Sequence, residues 1–310
     1  MTVTVVGEAL VDLVRRTDGT EVAHPGGSPA NVAVGLARLG CPVELVTRYA
    51  DDAHGALVDA HLRGNGVRLG PGTTGAPATS VAAATLDADG TASYDFSLAW
   101  DLGDGTPGLA DGTTCLHTGS IGATLEPGAA AVRRMVAAAR GRATVSYDPN
   151  ARPALMGAPE RAREQVEALV AQSDVVKVSD EDLAWLRPGE PYDAVATGWL
   201  GLGPALVVVT RGADGPWAVA ASGVVQRPAV RVDVVDTVGA GDAFMAGLLD
   251  GLHRRELLGP AAAERLRALD PEALTALLDE AALVAAMTVA RPGADPPTRE
   301  EVAARRAGGA

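Results

Sequence analysis

Apolar positions along this chain fall into short, nearly continuous runs separated by longer stretches of helical spacing. The runs are Val3–Val6, Val43–Val46, Ala143–Tyr147, Val175–Val178 and Ala205–Thr210, each of strand length. Between them, Asn31–Leu39, Gly55–Leu62, Gly128–Ala139, Pro159–Ala171 and Asp180–Leu186 repeat apolar residues at three- and four-residue intervals. Strands that are apolar on both faces and alternate with helices predict a doubly wound, mostly parallel sheet covered on each side. Two segments break the pattern. Asp12–His24 and Thr79–Ala99 read as β-hairpins, the second turning at Asp89-Gly90. They carry little apolar material, which predicts a small separate sheet. Asp270-Pro271-Glu272 starts a helix, with Asp as cap and Pro at the first position. Its apolar spacing runs to about Val289, and Arg291–Thr298, rich in proline, follows as a stiff loop.

The 310 residues allow one large α/β domain or two small ones, and residues 1–310 are read as one. Hydrophobic residues make up 47% of the chain but aromatics only 3%, so Ala, Val and Leu must fill the core. A net charge of −13 argues against nucleic acid or an anionic membrane as partner. Cys41 and Cys115 are too few for a disulfide framework, and the five histidines show no metal-ligand spacing. Met1–Val6 reads as a strand rather than a signal peptide, and no apolar run approaches membrane-span length. A cytoplasmic location is therefore expected.

The chemistry gathers at Val235-Asp236-Thr237-Val238-Gly239-Ala240-Gly241-Asp242, followed by the helical spacing of Ala243–Leu249. A glycine-rich turn at a helix N-terminus offers free backbone N–H groups and the positive end of the helix dipole to an anion. Gly239 and Gly241 let the main chain come close. Asp242 stands beside that anion hole, where a carboxylate can take a proton from an attacking hydroxyl. Its alternative role is a helix cap. A Rossmann fingerprint fits poorly, because Phe244 stands where the third small residue belongs and no βαβ unit follows. A Walker A loop is excluded: Lys177 is the only lysine and lies outside any such motif.

This string resembles the C-terminal signature of the ribokinase-like (PfkB) carbohydrate kinases. Gly26-Gly27-Ser28-Pro29-Ala30-Asn31, continuing to Gly40, resembles their N-terminal signature. Two long motifs in the expected order are far more specific than either alone. The resemblance implies a three-layer αβα sandwich with a small β lid made by segments of about 12–25 and 79–99. It also implies transfer of the γ-phosphoryl group of ATP to a sugar hydroxyl. In that reading Asp242 is the base, and the amides of Gly239, Ala240 and Gly241 form the anion hole. Asp12, Gly26, Gly27 and Asn31 bind the sugar. Arg152, in Asp148-Pro149-Asn150-Ala151-Arg152, helps hold the phosphate or the sugar's far end. Lys177, Ser179, Thr210, Gly212 and Gly215 serve the nucleotide, together with Gly239 and Gly241.

Some of these positions keep a second reading. Asp236, with the carbonyls of Val238 and Gly293, either holds a potassium ion or simply caps the turn. Lys177–Asp182 resembles the family's K-x-N-x-x-E element, with Ser179 for the asparagine and Asp182 for the glutamate. Asp182 either orders magnesium through water or joins Ser179 in capping a helix, and the two roles are compatible. Ser28 reads equally as the N-cap of the helix after Pro29. Among subfamilies the chain looks most like fructokinases, with 2-keto-3-deoxygluconate kinases and ribokinases as alternatives. A sugar binder that has lost turnover is the rival from another class. A homodimer through the lid is the expected assembly.

Overall fold

The computed structural model describes residues 1–15, 20–86, 92–103 and 108–308. The Asp89-Gly90 turn lies outside them. The chain opens with strand β1 (Thr2–Val6), passes through β2 (Leu10–Arg15) and β3 (Glu21–Gly26), and enters helix α1 (Ser28–Arg38). Next come β4 (Val43–Val46), α2 (Ala53–Gly64), β5 (Arg68–Leu69), β6 (Val81–Leu86), β7 (Ala92–Ser97) and β8 (Thr113–Gly119). The central part alternates α3 (Gly128–Ala139), β9 (Thr144–Asp148), α4 (Pro153–Met156), α5 (Pro159–Val170), β10 (Val175–Ser179), α6 (Asp180–Leu186), α7 (Tyr192–Leu200) and β11 (Leu206–Thr210). It closes with β12 (Trp217–Ala220), β13 (Gly223–Gln226), α8 (Ala240–Arg254), α9 (Ala263–Arg267), α10 (Pro271–Val289) and α11 (Arg299–Gly308).

Nine strands form the main sheet in the order β13-β12-β11-β10-β9-β8-β1-β4-β5. All neighbours from β11 to β5 run parallel, and β12 and β13 add an antiparallel edge. Strand alternation divides the core between two layers. Val3 and Val5 of β1, Cys115 of β8 and Val208 of β11 pack with α1, α8 and α10 on one face. Val6, Leu116, Val207 and Val209 pack with α3, α5 and α7 on the other. This is the expected α/β sandwich. The small sheet has the order β3-β2-β6-β7, with β2 and β6 parallel and the outer pairs antiparallel. Asp270 accepts a hydrogen bond from the Ala273 amide at 2.8 Å, as its cap position predicts. Among the described residues no helix is long and apolar enough to cross a membrane. Both cysteines are free and buried, and burial pushes each thiol up to about 12.

Strand order reverses at β1, which has β4 on one side and β8 on the other. In a parallel α/β sheet that reversal opens a crevice at the carboxyl ends of the strands. Gly7, Gly119, Asp148, Ser179 and Thr210 all stand at those ends.

Candidate active site

Helix α8 begins at Gly239, which caps it in the left-handed conformation (φ 74°) that a non-glycine residue adopts only at a cost. A Cβ there would also lie 2.6 Å from Ala294 Cβ, so the 291–298 loop is packed on this turn. That loop is stapled from outside. Arg38 of α1 pairs with Asp295 and donates to the Pro296 carbonyl, and Arg291 donates to Glu301 of α11 at 2.7 Å. A Cβ on Gly241 would come 2.7 Å from Lys177 Nζ, so a cation lies directly behind the turn.

Lys177 is 3% exposed, on β10, and its ammonium donates to Asp148 Oδ2 at 2.9 Å. Burial penalises that charge, but Asp148, with Asp182 and Asp242 nearby, more than offsets the penalty and holds the lysine pKa above its ordinary value. The Ala240 amide donates to the Thr237 carbonyl at 3.2 Å, so it is the other amides of the turn, the α8 dipole and this buried ammonium that act together here.

Asp242 lies in the first turn of α8 and is 7% exposed. Ser28 Oγ donates to its Oδ1 at 2.6 Å and Asn31 Nδ2 to its Oδ2 at 2.8 Å. Both donors come from the start of α1, so the two signature motifs meet at one carboxylate. Ser28 is not the cap anticipated from its position. Gly27 is the N-cap (φ 101°), it makes no side-chain cap bond, and Ser28 is already helical with its hydroxyl turned to Asp242.

Asp12 on β2 faces His24 on β3 across the small sheet. A Cβ on Gly26 would lie 2.0 Å from Asp12 Oδ2, and one on Gly27 would lie 2.7 Å from the Glu8 carbonyl. The two glycines thus press the 26–27 turn onto Asp12 and the end of β1. Burial raises the Asp12 pKa, with Asp242 adding to the effect and Arg152 and His24 opposing it. Asp12, Asp242 and Arg152 therefore share one electrostatic neighbourhood. The Arg152 guanidinium is turned onto its own loop, where Nη1 donates to Asn150 Oδ1 at 2.7 Å and to the Ala151 carbonyl at 3.0 Å.

The residues expected from sequence to serve the nucleotide are held more locally. Ser179 accepts from the Asp182 amide at 3.0 Å and Asp182 accepts from the Ser179 amide at 3.4 Å, a complete capping box at the start of α6. Asp182 also accepts from the Ala151 amide at 3.0 Å, which ties the Arg152 loop to α6. Thr210 ends β11, and its hydroxyl donates to the Val178 carbonyl at 3.4 Å. Gly212 (φ 48°) and Gly215 (φ 76°) shape the turn that follows, where Arg211 stacks on Tyr192 and donates to the Gly215 carbonyl. Asp236 accepts from the amides of Val238 at 3.0 Å and Gly293 at 2.8 Å. Those two bonds hold its carboxyl below the usual aspartate range.

Two acids went unassigned from sequence. The sequence pattern offers Asp148 only as part of a loop motif, yet it is the buried partner of Lys177. Glu8 is 2% exposed and accepts from the Gly122 amide at 2.7 Å, bridging the ends of β1 and β8 at the strand-order reversal. Burial raises its pKa to about 7. The available signal is an acid set inside the mostly apolar stretch from Val5 to Val11.

Comparison with known proteins bears on the family and the fold. The model of the pfkB family of carbohydrate kinases matches residues 2–301. A fructokinase of Rhizobium leguminosarum bv. trifolii is 34% identical over 276 residues, covering 86% of this chain and 84% of that protein. The structure of Xylella fastidiosa fructokinase with bound ATP superposes with a TM-score of 0.84 at 29% identity, covering 98% of this chain and 97% of that one. A double mutant of Vibrio cholerae O395 fructokinase, with fructose, ADP and a potassium ion bound, superposes with a TM-score of 0.80 at 25% identity and the same coverage.

Proposed function

The chain belongs to the pfkB family of carbohydrate kinases and is an ATP-dependent sugar kinase; from that premise we propose that its acceptor is D-fructose, phosphorylated on the primary 6-hydroxyl. The observation that carries the mechanism is the convergence of a buried carboxylate, a helix N-terminus and a buried ammonium at Asp242, Gly239–Gly241 and Lys177. The choice of sugar rests on the fructokinase relatives and on the fructose-bound neighbour.

Asp12 grips hydroxyls at one end of the sugar, beside the Gly26–Gly27 turn, and Asn31, bonded to Asp242, meets the sugar at the end that reacts. The free primary hydroxyl then reaches Asp242. Its proton passes to the Asp242 carboxylate as its oxygen forms the new bond to the γ-phosphorus. The bond from that phosphorus to the bridging oxygen breaks, and the electron pair leaves with ADP. The amides of Gly239 and Gly241, backed by Lys177, stabilise the charge on the transferring group, while that of Ala240 is held by the Thr237 carbonyl. Arg152 needs only to swing from its own loop to add a cation. Thr210, Gly212 and Gly215, with Ser179, form the nucleotide side.

Magnesium accompanying ATP offsets phosphate charge and keeps much of its own water. Asp182, already bonded to two amides, suits contact through that water rather than direct ligation. Asp236 draws the Val238 and Gly293 segments onto one ionised carboxylate, and their carbonyls are the hard oxygen donors a potassium ion takes. Residues 1–310 act as one kinase unit with the small sheet as lid, and the free, buried cysteines suit work in the cytoplasm.

The test is kcat/KM for fructose, 2-keto-3-deoxygluconate, ribose, tagatose and adenosine under saturating magnesium-ATP. Fructose is expected to lead. A tenfold advantage for any other acceptor overturns the fructose assignment. Tight sugar binding without ADP release from any acceptor favours the non-catalytic binder.

A further inference from the structure

Asp242 receives two side-chain hydrogen bonds, and their surroundings differ. Ser28 is itself buried, 7% exposed, and its bond to Oδ1 lies wholly inside the protein. Asn31 is only half-buried, and its bond to Oδ2 borders the open side of the site. Both donors sit in the first turn of α1, over two hundred residues from Asp242 in sequence. The two helices are locked in register beneath them: a Cβ on Gly35 of α1 would lie 2.7 Å from Ala246 Cβ of α8. Gly27, with its positive φ, turns the chain so that α1 starts one residue earlier than a serine cap would allow. The Ser28 hydroxyl is thereby spent on Asp242 rather than on the helix.

We propose that Ser28 is a positioning residue for the base, and that Asn31 is shared between base and sugar. This rests on the reading of Asp242 as the base of a sugar kinase. A hydroxyl has one proton to give, and Ser28 gives it to Oδ1 inside a packed interior that no substrate enters. That bond fixes the carboxylate and leaves Oδ2 as the oxygen that takes the proton from the sugar. The Asn31 amide occupies Oδ2 until a sugar hydroxyl arrives. The amide can then turn to that hydroxyl while Ser28 keeps the carboxylate in place. One helical turn thus supplies a permanent support and an exchangeable one.

A double-mutant cycle in steady-state kinetics, using the best acceptor from the sugar panel, tests this. Ser28→Ala is expected to lower kcat about ten- to hundredfold, the usual weight of a hydrogen bond to a charged group, with both KM values within about twofold. Added to Asp242→Asn, the same change should cost less than about twofold. Asn31→Ala should instead raise the sugar KM tenfold or more. Thermal unfolding of each variant confirms that it is folded. Equal falls in kcat with and without Asp242 would show that Ser28 merely supports the fold. An unchanged kcat in Ser28→Ala, or a rise in sugar KM alone, would likewise overturn the proposal. Full turnover in Asp242→Asn would remove the base assignment and this role with it, while ADP release by the wild type would leave the kinase assignment standing.

Discussion

The proposed phosphate end of the site and its proposed nucleotide end are built by different means. At the phosphate end, Asp242 is fixed by Ser28 and Asn31 from the opposite part of the chain, and Lys177 is paired with Asp148 in the interior. At the nucleotide end, Ser179 and Asp182 cap their own helix, and Arg211 bonds to the turn it belongs to. The first arrangement has few degrees of freedom left and is largely buried. The second is local and half-exposed. Phosphoryl transfer demands preorganised charge where the barrier is crossed, whereas a cosubstrate that must enter and leave is served by elements that close on themselves. Changes at the first end should therefore act on kcat or on the fold, and changes at the second on ATP affinity.

The largest effect is expected at the base. Asp242→Asn should lower kcat by about two to four powers of ten, the usual range for general-base catalysis, with sugar and ATP affinities little changed. Near-normal turnover in the purified variant would remove the phosphate end from the comparison.

Lys177→Met comes next. Breaking a buried pair by removing one partner typically costs about 3–5 kcal/mol, because the other charge is stranded. Chemical denaturation should show that loss. Lys177→Met combined with Asp148→Leu should recover much of it while turnover stays low. Recovery of turnover in the double variant would mean that Lys177 supports the fold and does nothing for the anion.

What could be read from sequence follows the same division. Strands β1, β4, β9, β10 and β11 of the main sheet were legible because a strand buried on both faces is largely apolar. The short β5 and the antiparallel edge β12–β13 were not legible in this way. Strand β8 (Thr113–Gly119) was not, since its threonines and His117 break the run; only the fold shows His117 satisfied by Ser146 at 2.9 Å. The α8 turn was legible because glycine conformation and helix polarity are local properties. The capping box at Ser179 was legible for the same reason. The bonds from Ser28 and Asn31 to Asp242 span 214 and 211 residues, and no local pattern encodes that meeting. Glu8 shows its character only through burial, which packing creates.

Glu8 gives the third prediction. Its pKa is raised from 4.5 to about 7 by burial, so the folded protein binds more protons than the unfolded chain between those values. Stability from this group is full below about pH 4.5, falls as pH rises to 7, and stays at its lower level above. His117, lowered to about 3 by burial, works the opposite way as pH falls below 6.5. The difference between wild type and Glu8→Gln isolates the first effect. Relative to wild type, the variant should gain about 2–3 kcal/mol in denaturation free energy from pH 5 to pH 8, as a shift of this size implies. A flat difference would show that Glu8 keeps an ordinary carboxylate pKa.

The smallest effect should come from Ser179→Ala. The hydroxyl accepts one backbone N–H, from Asp182, in a half-exposed helix start. Losing such a cap costs about 1 kcal/mol. The damage is limited further because Asp182 keeps its bond from the Ala151 amide and so stays close to its place. The first turn of α6 also carries Asp180 and Glu181, whose charges suit a helix N-terminus with or without the serine. A slightly looser Ser179–Asp182 turn should weaken the hold on ATP by a few-fold and leave kcat within about twofold. KM for ATP and kcat, measured at saturating sugar, separate the two. A tenfold fall in kcat with ATP affinity intact would place Ser179 with the preorganised groups around Asp242, and the contrast between the two ends would then fail at its most local element.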